Sequence, residues 1–241
     1  MYEPRTYRRW VADQDLTSFQ VTIRETDLFI SATRDLTAEA RAAVSRYRHD
    51  LESYISTHPG FADSLKPINV DASAPLVVRE MAGAALKAGV GPMAAVAGAI
   101  AERVGRDLLP LSEEIIVENG GDIFLTTTRE RLVGLYAGPS PLTGRIAFAI
   151  SPEDTPLGIC TSSGTVGHSL SFGEADAVVA ISESTALADA AATAIGNRVR
   201  SANDIEAATE FAQSIEGLSG LAIVKGERVG LWGSIRLAES G

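Results

Sequence analysis

The hydrophobic period of the chain changes near Glu113, and that change sets the class of fold it can adopt. Before it, apolar residues recur at helical spacing. Ala40, Val44, Tyr47, Leu51 and Ile55 share one face of a segment opened by Thr37, an N-cap residue type. Two Ala-rich segments follow, PLVVREMAGAALKAG and PMAAVAGAIAERVGRDLL, each opened by a proline (Pro75, Pro92) suited to a first helical position. After Glu113 the period is two: EEIIVENG, DIFLTTT, ERLVGLYAG and RIAFAIS read as four short strands with turns between them. Helices and strands thus come in runs rather than strict alternation. That argues for an α+β fold with a mainly antiparallel sheet and packed helices. With 241 residues, 45% of them hydrophobic, and no linker in view, one domain over residues 1–241 is expected.

The remaining segments fit the same pattern. FQVTIRETDLFISAT (residues 19–33) reads as a hairpin, and His58-Pro59-Gly60 ends the helix that follows. Residues 59–75 carry three prolines and no clear period, so a loop with one helical turn is expected. NDIEAATEFAQSIEG reads as an amphipathic helix, and GLAIVKGERVGLWGSIRLA as closing strands. ERLVGLYAG and ERVGLWGS resemble each other, which hints at a helix-pair-plus-hairpin unit used twice. His49 and His58 flank the first helix and read as surface residues.

Formal net charge is −10, so a sequence-blind nucleic-acid binder is not expected. Arg5, Arg8 and Arg9 form a basic N-terminal arm that reads as solvated or edge-bound. One cysteine leaves no intrachain disulfide framework and fits a reducing compartment. The N-terminus has no secretory apolar run, and the weakly polar run from Ala88 to Ala101 is too short to span a bilayer. A cytoplasmic location without membrane association is expected.

Four pieces could carry chemistry. Gly89-Val90-Gly91-Pro92 at a helix start suits a phosphate, but equally suits helix-joining punctuation. Asn119-Gly120-Gly121-Asp122 is a strong hairpin-turn signal; the same glycines let a ligand lie on the backbone, with Asn119 or Asp122 bonding a ribose or ring edge. Thr161-Ser162-Ser163-Gly164-Thr165 supplies hydroxyls and amides for an anion nest, and His168 in the same loop has acid–base potential near neutral pH. Cys160, at the end of an apolar strand, reads as buried and inert rather than as a nucleophile. Asp189 and Thr193 lie four apart on a segment opened near Ser184, so they share a helix face. A carboxylate and hydroxyl so placed can give two oxygens to Mg²⁺, or can simply form a polar surface pair.

Taken in order, these pieces resemble the ApbE-like superfamily, best known for FAD:protein FMN transferases. Its Gly-Gly-Asp turn is matched by Gly120, Gly121 and Asp122. Its Thr-Ser-Gly loop is matched loosely by Thr161, Ser162 and Gly164, with Ser163 extra, and its downstream His by His168. Its Ala-Asp-x-x-x-Thr-Ala helix is matched in full by Ala188, Asp189, Thr193 and Ala194. The resemblance spans roughly residues 89–197 and implies an α+β fold, an FAD pocket between sheet and helices, and Mg²⁺ held by Asp189 and Thr193. The family's Lys falls near Ala97 and its preceding Asp near Gly91. After His168, Ser169-Leu170-Ser171-Phe172-Gly173 stands in place of Asp-Pro-x-Thr-Gly.

The resemblance therefore implies a Mg²⁺-dependent transferase or hydrolase acting on FAD or a related phosphorylated nucleotide. His168 would move a proton, and Gly89, Gly91, Asn119, Gly120, Gly121, Asp122, Thr161, Ser162, Ser163 and Gly164 would line the pocket. A flavin- or nucleotide-binding protein without transferase chemistry is the alternative, and an acidic interaction scaffold a third. The expected partners are a phosphorylated small molecule and an acceptor protein of unknown identity, with self-association into a homodimer left open.

Overall fold

A computed structural model describes residues 15–164 and 172–239. The basic arm, Thr165 and His168 lie outside these residues. Eight strands form one antiparallel sheet: β1 (Thr17–Ile23), β2 (Thr26–Ala32), β3 (Ile115–Asn119), β4 (Asp122–Thr126), β7 (Leu157–Ser162), β8 (Ala177–Ser182), β9 (Leu218–Lys225) and β10 (Arg228–Gly233), in that spatial order. A second sheet has the order β11 (Leu237–Glu239), β6 (Ile146–Ile150), β5 (Arg131–Gly134). The expected α+β class holds. The segments ERLVGLYAG and ERVGLWGS fall in different sheets, as β5 and β10.

Side-chain alternation divides the large sheet between two cores. Ile115, Val117, Phe124, Val178, Leu221 and Ile223 face the helices. Ile116, Ile123, Leu125, Ile159 and Val179 face Val133, Leu135 and Phe148 of the small-sheet region. The molecule is therefore three layers: helices, large sheet, small sheet.

The helices cross the large sheet in sequence. The helix α1 (Thr37–Thr57) lies over β1, α4 (Val96–Leu108) over β3 and β4, α5 (Thr185–Gly196) over β7 and β8, and α6 (Ile205–Gln213) over β9 and β10. The short α2 (Gly60–Asp63) follows α1, and α3 (Leu76–Ala88) packs on α1, α4 and α5. α5 is covered by the sheet beneath and by neighbouring helices, so its Ala-rich composition is that of a helix buried nearly all round. Among the described residues no single helix is long and apolar enough to cross a membrane. The bent pair Leu76–Ala88 and Pro92–Leu111 reaches that length only together, across a 105° bend.

Two expected helix starts differ. Thr37 is the first residue of α1 and Leu36 holds the N-cap position; Asp35 Oδ1, just ahead of it, accepts from the Thr37 N–H (2.8 Å) and hydroxyl (2.6 Å). Pro92 opens a 3-10 helix (Pro92–Ala95), and α4 begins only at Val96.

A buried ion cluster ties the two sheets together. Arg131 of β5 donates through Nη2 to Glu114 Oε2 (2.6 Å), and Thr127 and Thr128 hydroxyls also reach Glu114. Asp15 accepts from Arg131 Nη1 at 2.5 Å, which holds its carboxyl down at about 2. Arg131 and Glu114 are 2% and 4% exposed. Removing one partner strands a buried charge, so Arg131→Met should cost about 3–5 kcal/mol, and adding Glu114→Gln should recover part of it. Urea unfolding checks this; a single-variant loss under about 1 kcal/mol would contradict the cluster's role. Asp15 is depressed, so its contribution is complete above the unfolded carboxylate range near 4 and is lost as pH falls through about 2.

Candidate functional site

The cleft is built where α4, α5 and the β3–β4 turn meet. Asn119 and Asp122 pair across a two-residue turn whose Gly120 and Gly121 have φ of 70° and 107°. Both central residues need positive φ, which glycine adopts without strain, so the turn explains both glycines. Glu118 Oε1 accepts from the Gly121 N–H at 3.0 Å. Asn119 and Asp122 project to the helix side. Asn119 Nδ2 donates to the Ala97 carbonyl at 3.0 Å, tying the hairpin to the first turn of α4.

Asp189 reaches the same turn from α5. Its Oδ2 accepts from the Gly98 N–H at 2.9 Å, with the Ala97 N–H also contributing. The first N–H groups of a helix lack internal partners, so Asp189 acts as a cap for α4 supplied by another helix. Gly98 permits the approach: a Cβ there would lie 2.4 Å from the Thr185 carbonyl oxygen and 2.8 Å from Asp189 Cβ.

The electrostatics of the cleft are dominated by two carboxyls. Burial pushes Asp122 well above the usual carboxylate range, and the charge of Asp189 pushes it further, against bonds from Cys160 and the Thr161 N–H. Burial raises Asp189 to about 7, opposed by the Gly98 and Ala97 amides. Cys160 lies beside them with Sγ 3.4 Å from the Thr185 carbonyl; burial and both carboxylates push its thiol well up. It is fully buried, an environment for an inert thiol.

The end of β7 closes the other side. A Cβ on Gly121 would sit 3.7 Å from the Thr161 carbonyl, and one on Gly196 would sit 3.7 Å from Ser162 Oγ. Gly164 and Gly173 close the neck of the following loop: a Cβ on Gly164 would meet the Gly173 carbonyl at 2.1 Å. The neck is fastened to the end of α5, where Asn197 Oδ1 accepts from the Phe172 N–H (2.8 Å) and the Val199 carbonyl from the Glu174 N–H (2.7 Å). Thr193, half-buried, lies between Asp189 and this neck along α5.

The structure thus brings together Asn119, Gly120, Gly121, Asp122, Thr161 and Asp189; Thr193 stands one turn beyond Asp189 on α5, and Ser162, Ser163 and Gly164 lead from Thr161 to the loop neck. Gly89 and Gly91 serve the chain's own path. Gly89, exposed, is the left-handed C-cap of α3 at φ 74°, and a Cβ on Gly91 would strike the Ser64 carbonyl at 1.8 Å. The helix start at the site is that of α4 at Val96, four residues beyond the Pro92 start that the glycines marked. Its signal was the small-residue run, which permits close packing without saying against what. His168 lies outside the described residues. Among the described residues no group of three or more His, Cys, Asp or Glu side chains is placed to hold a metal.

The family model described as AbpE bacteria matches residues 8–225. A UPF0280 protein of Methanocaldococcus jannaschii is 43% identical over 222 residues, covering 90% of each chain. Another, from Methanospirillum hungatei, is 44% identical over 215 residues, covering 88% of this chain and 86% of that one. Among solved structures, a mutant of the flavin transferase ApbE from Vibrio cholerae superposes with a TM-score of 0.58 at 14% identity, covering 93% of this chain and 97% of that one. The apo flavinyl transferase ApbE of Pseudomonas stutzeri gives 0.51 at 13% identity, covering 90% and 94%. At these identities the likeness is one of fold.

The paired carboxyls make stability pH-dependent. Both hold a proton more tightly folded than unfolded. Both contributions are therefore complete below about pH 4; that of Asp189 falls as pH rises through about 7, and that of Asp122 falls as pH rises through its own raised range. Asp122→Asn removes one charge and its repulsion, so its melting temperature relative to wild type should climb between pH 5 and pH 8. Each tenfold relief in proton affinity is worth about 1.4 kcal/mol. Thermal melts across that range check it; a flat or falling difference would contradict the pairing.

Proposed function

The chain belongs to the family described as AbpE bacteria, and we propose that its cleft binds FAD or a related nucleotide pyrophosphate with Mg²⁺ and transfers the FMN half to an acceptor hydroxyl or to water. The observation that carries this reading is the juxtaposition of Asp122 and Asp189 at the helix side of the Gly120-Gly121 turn. Burial raises the proton affinity of both carboxyls, the charge of Asp189 raises that of Asp122 further, and a bound cation would supply the positive charge that their described partners lack.

The residues present fit a hard cation. Asp189 and Thr193 offer a carboxylate and a hydroxyl one turn apart on α5, and Mg²⁺ commonly takes one or two carboxylates and completes its shell with water and phosphate oxygens. When bound, the ion would neutralise charge on the pyrophosphate. The chain's own residues do the rest. The bare backbone at Gly120 and Gly121 leaves room for a flat group. Ser162 and Ser163 offer hydroxyls to phosphate oxygens, while the Gly164 N–H is given to the Ala175 carbonyl at 2.9 Å. His168 takes the proton from the acceptor oxygen as that oxygen bonds to the FMN phosphorus; the bond to the AMP oxygen breaks and AMP leaves with the electron pair. A cytoplasmic site of action accompanies this reading, and the unpaired, buried Cys160 is compatible with it.

Two sequence departures favour a second reading, a flavin-nucleotide-binding protein without transfer: Ala97 at the family's Lys, and Ser169 to Gly173 after His168. The readings separate when purified protein is titrated with FAD with and without Mg²⁺ and then assayed for released AMP. Transfer or hydrolysis expects Mg²⁺-tightened binding and AMP that His168→Ala abolishes at near-normal stability. Mg²⁺-tightened binding without AMP selects the binding protein. Asp189→Asn should weaken Mg²⁺-dependent binding by about tenfold or more, the scale of losing a charged ligand contact. If wild type binds no more tightly with Mg²⁺, or the variant binds equally well, the metal assignment is wrong.

A further inference from the structure

We propose that Glu102 is a positioning residue that fixes the register of α5 against α4 and so holds the Asp189 carboxylate at the cleft. The inference rests on the reading of the cleft as a cation site. It stands on a pair of bonds that cross between the helices. Gly98 N–H donates to Asp189 Oδ2 at 2.9 Å, and Thr185 N–H donates to Glu102 Oε2 at 2.8 Å. Gly98 and Glu102 lie one turn apart on α4, and Thr185 and Asp189 one turn apart on α5. The helices run antiparallel here, and each provides an acidic acceptor for the start of the other.

Glu102 does more than a helix cap requires. α5 already has a local cap, since Ser184 accepts from the Leu187 N–H. Glu102 is 6% exposed, and burying a carboxylate for a bond already replaceable by water is unfavourable unless its oxygens are fully engaged. They are engaged: Arg106 Nε donates to Oε1 at 2.9 Å, and Arg103 Nη2 lies 3.6 Å from it. Thr185 is also wedged from both sides. A Cβ on Gly98 would come within 2.4 Å of its carbonyl oxygen, and one on Gly158 within 2.4 Å of its Cα. The wedge sets how far α5 stands from α4 and β7. The Glu102 bond sets where α5 sits along its own axis, and Asp189 is carried on the same rigid helix.

The test reads amide exchange by NMR on Glu102→Ala and Glu102→Gln, with the Ile159 amide of β7 as the reference for global stability. In Glu102→Ala the amides of both Thr185 and Gly98 should exchange about tenfold faster relative to Ile159, although the Gly98 N–H donates to Asp189 and not to the Glu102 side chain. Glu102→Gln keeps one acceptor oxygen and should restore most of the Gly98 protection. In parallel, Mg²⁺ titration in the presence of FAD should show affinity about tenfold lower in Glu102→Ala and largely recovered in Glu102→Gln. Faster exchange at Thr185 with unchanged Gly98, or acceleration shared equally by Ile159, would overturn the proposal. Should Glu102→Ala not fold, the same comparison is made on Glu102→Met, which keeps the side-chain length without an acceptor, and unchanged Gly98 exchange alongside faster Thr185 exchange overturns the proposal. Absence of any Mg²⁺ binding by wild type, with Gly98 and Thr185 coupled as expected, would instead overturn the cation reading alone.

Discussion

The contact between α4 and α5 is the constraint on which the rest of the site depends. It has no side chain at its centre: Gly98 lets the Thr185 carbonyl approach within a distance that any Cβ would block. On either side of that bare contact an acidic side chain from one helix accepts an amide from the other. A helix start has unpaired N–H groups and partial positive charge, so two antiparallel helices offset by a turn can satisfy each other in this way. α4 is further tied to the sheet, where Gly105 lies against the Phe124 ring and Asn119 holds the Ala97 carbonyl. Among the described residues the site is consequently framed by helices and strands held to one another.

The same geometry concentrates unfavourable electrostatics. Asp122 is placed by the end of the β3–β4 turn and Asp189 by the helix pair, and neither position is free to relax. Burying two carboxyls near one another is costly in a fold that had every apolar residue available for the task. Two other buried acids are paired with bases, Glu114 with Arg131 and Glu102 with Arg106, while the buried Asp176 accepts the Gly226 N–H. Asp122 and Asp189 have no basic side chain among their described partners, and only amides and a thiol offset them. What sets this pair apart from the other buried acids is their closeness: the charge of Asp189 adds to the burial of Asp122.

Much of this was legible in the sequence. The switch of hydrophobic period at Glu113 gave the class of fold, and Asn119 to Asp122 announced a two-residue turn because few dipeptides accept two positive φ angles. The spacing of Asp189 and Thr193 placed them on one helix face. Tertiary capping was not legible. Asp189 and Glu102 lie well inside their own helices, past the N-caps Ser184 and Ala95, so neither caps locally, and nothing in the linear order says that each serves the other's helix. Gly89 and Gly91 drew attention as a phosphate cradle because glycine before a helix looks alike whether it approaches a ligand or, as at Gly91, the backbone of Ser64. The start of α4 was set four residues late by a 3-10 turn, whose hydrogen bonds differ from those of an α-helix while its residues do not. The similarity of ERLVGLYAG to ERVGLWGS reflects two amphipathic strands at unlike places, one in each sheet.

The central claim is that Asp189 and Thr193 hold a divalent cation beside a nucleotide pyrophosphate. The most direct measurement is diffraction from crystals grown with FAD and Mn²⁺ in place of Mg²⁺, using the anomalous signal of manganese to locate the ion. The account expects one strong peak within about 2.2 Å of an Asp189 carboxylate oxygen and of Thr193 Oγ1, the usual range for such oxygen ligands, with pyrophosphate density alongside it. Bound nucleotide with no manganese at these two residues, or manganese only elsewhere on the surface, would contradict it.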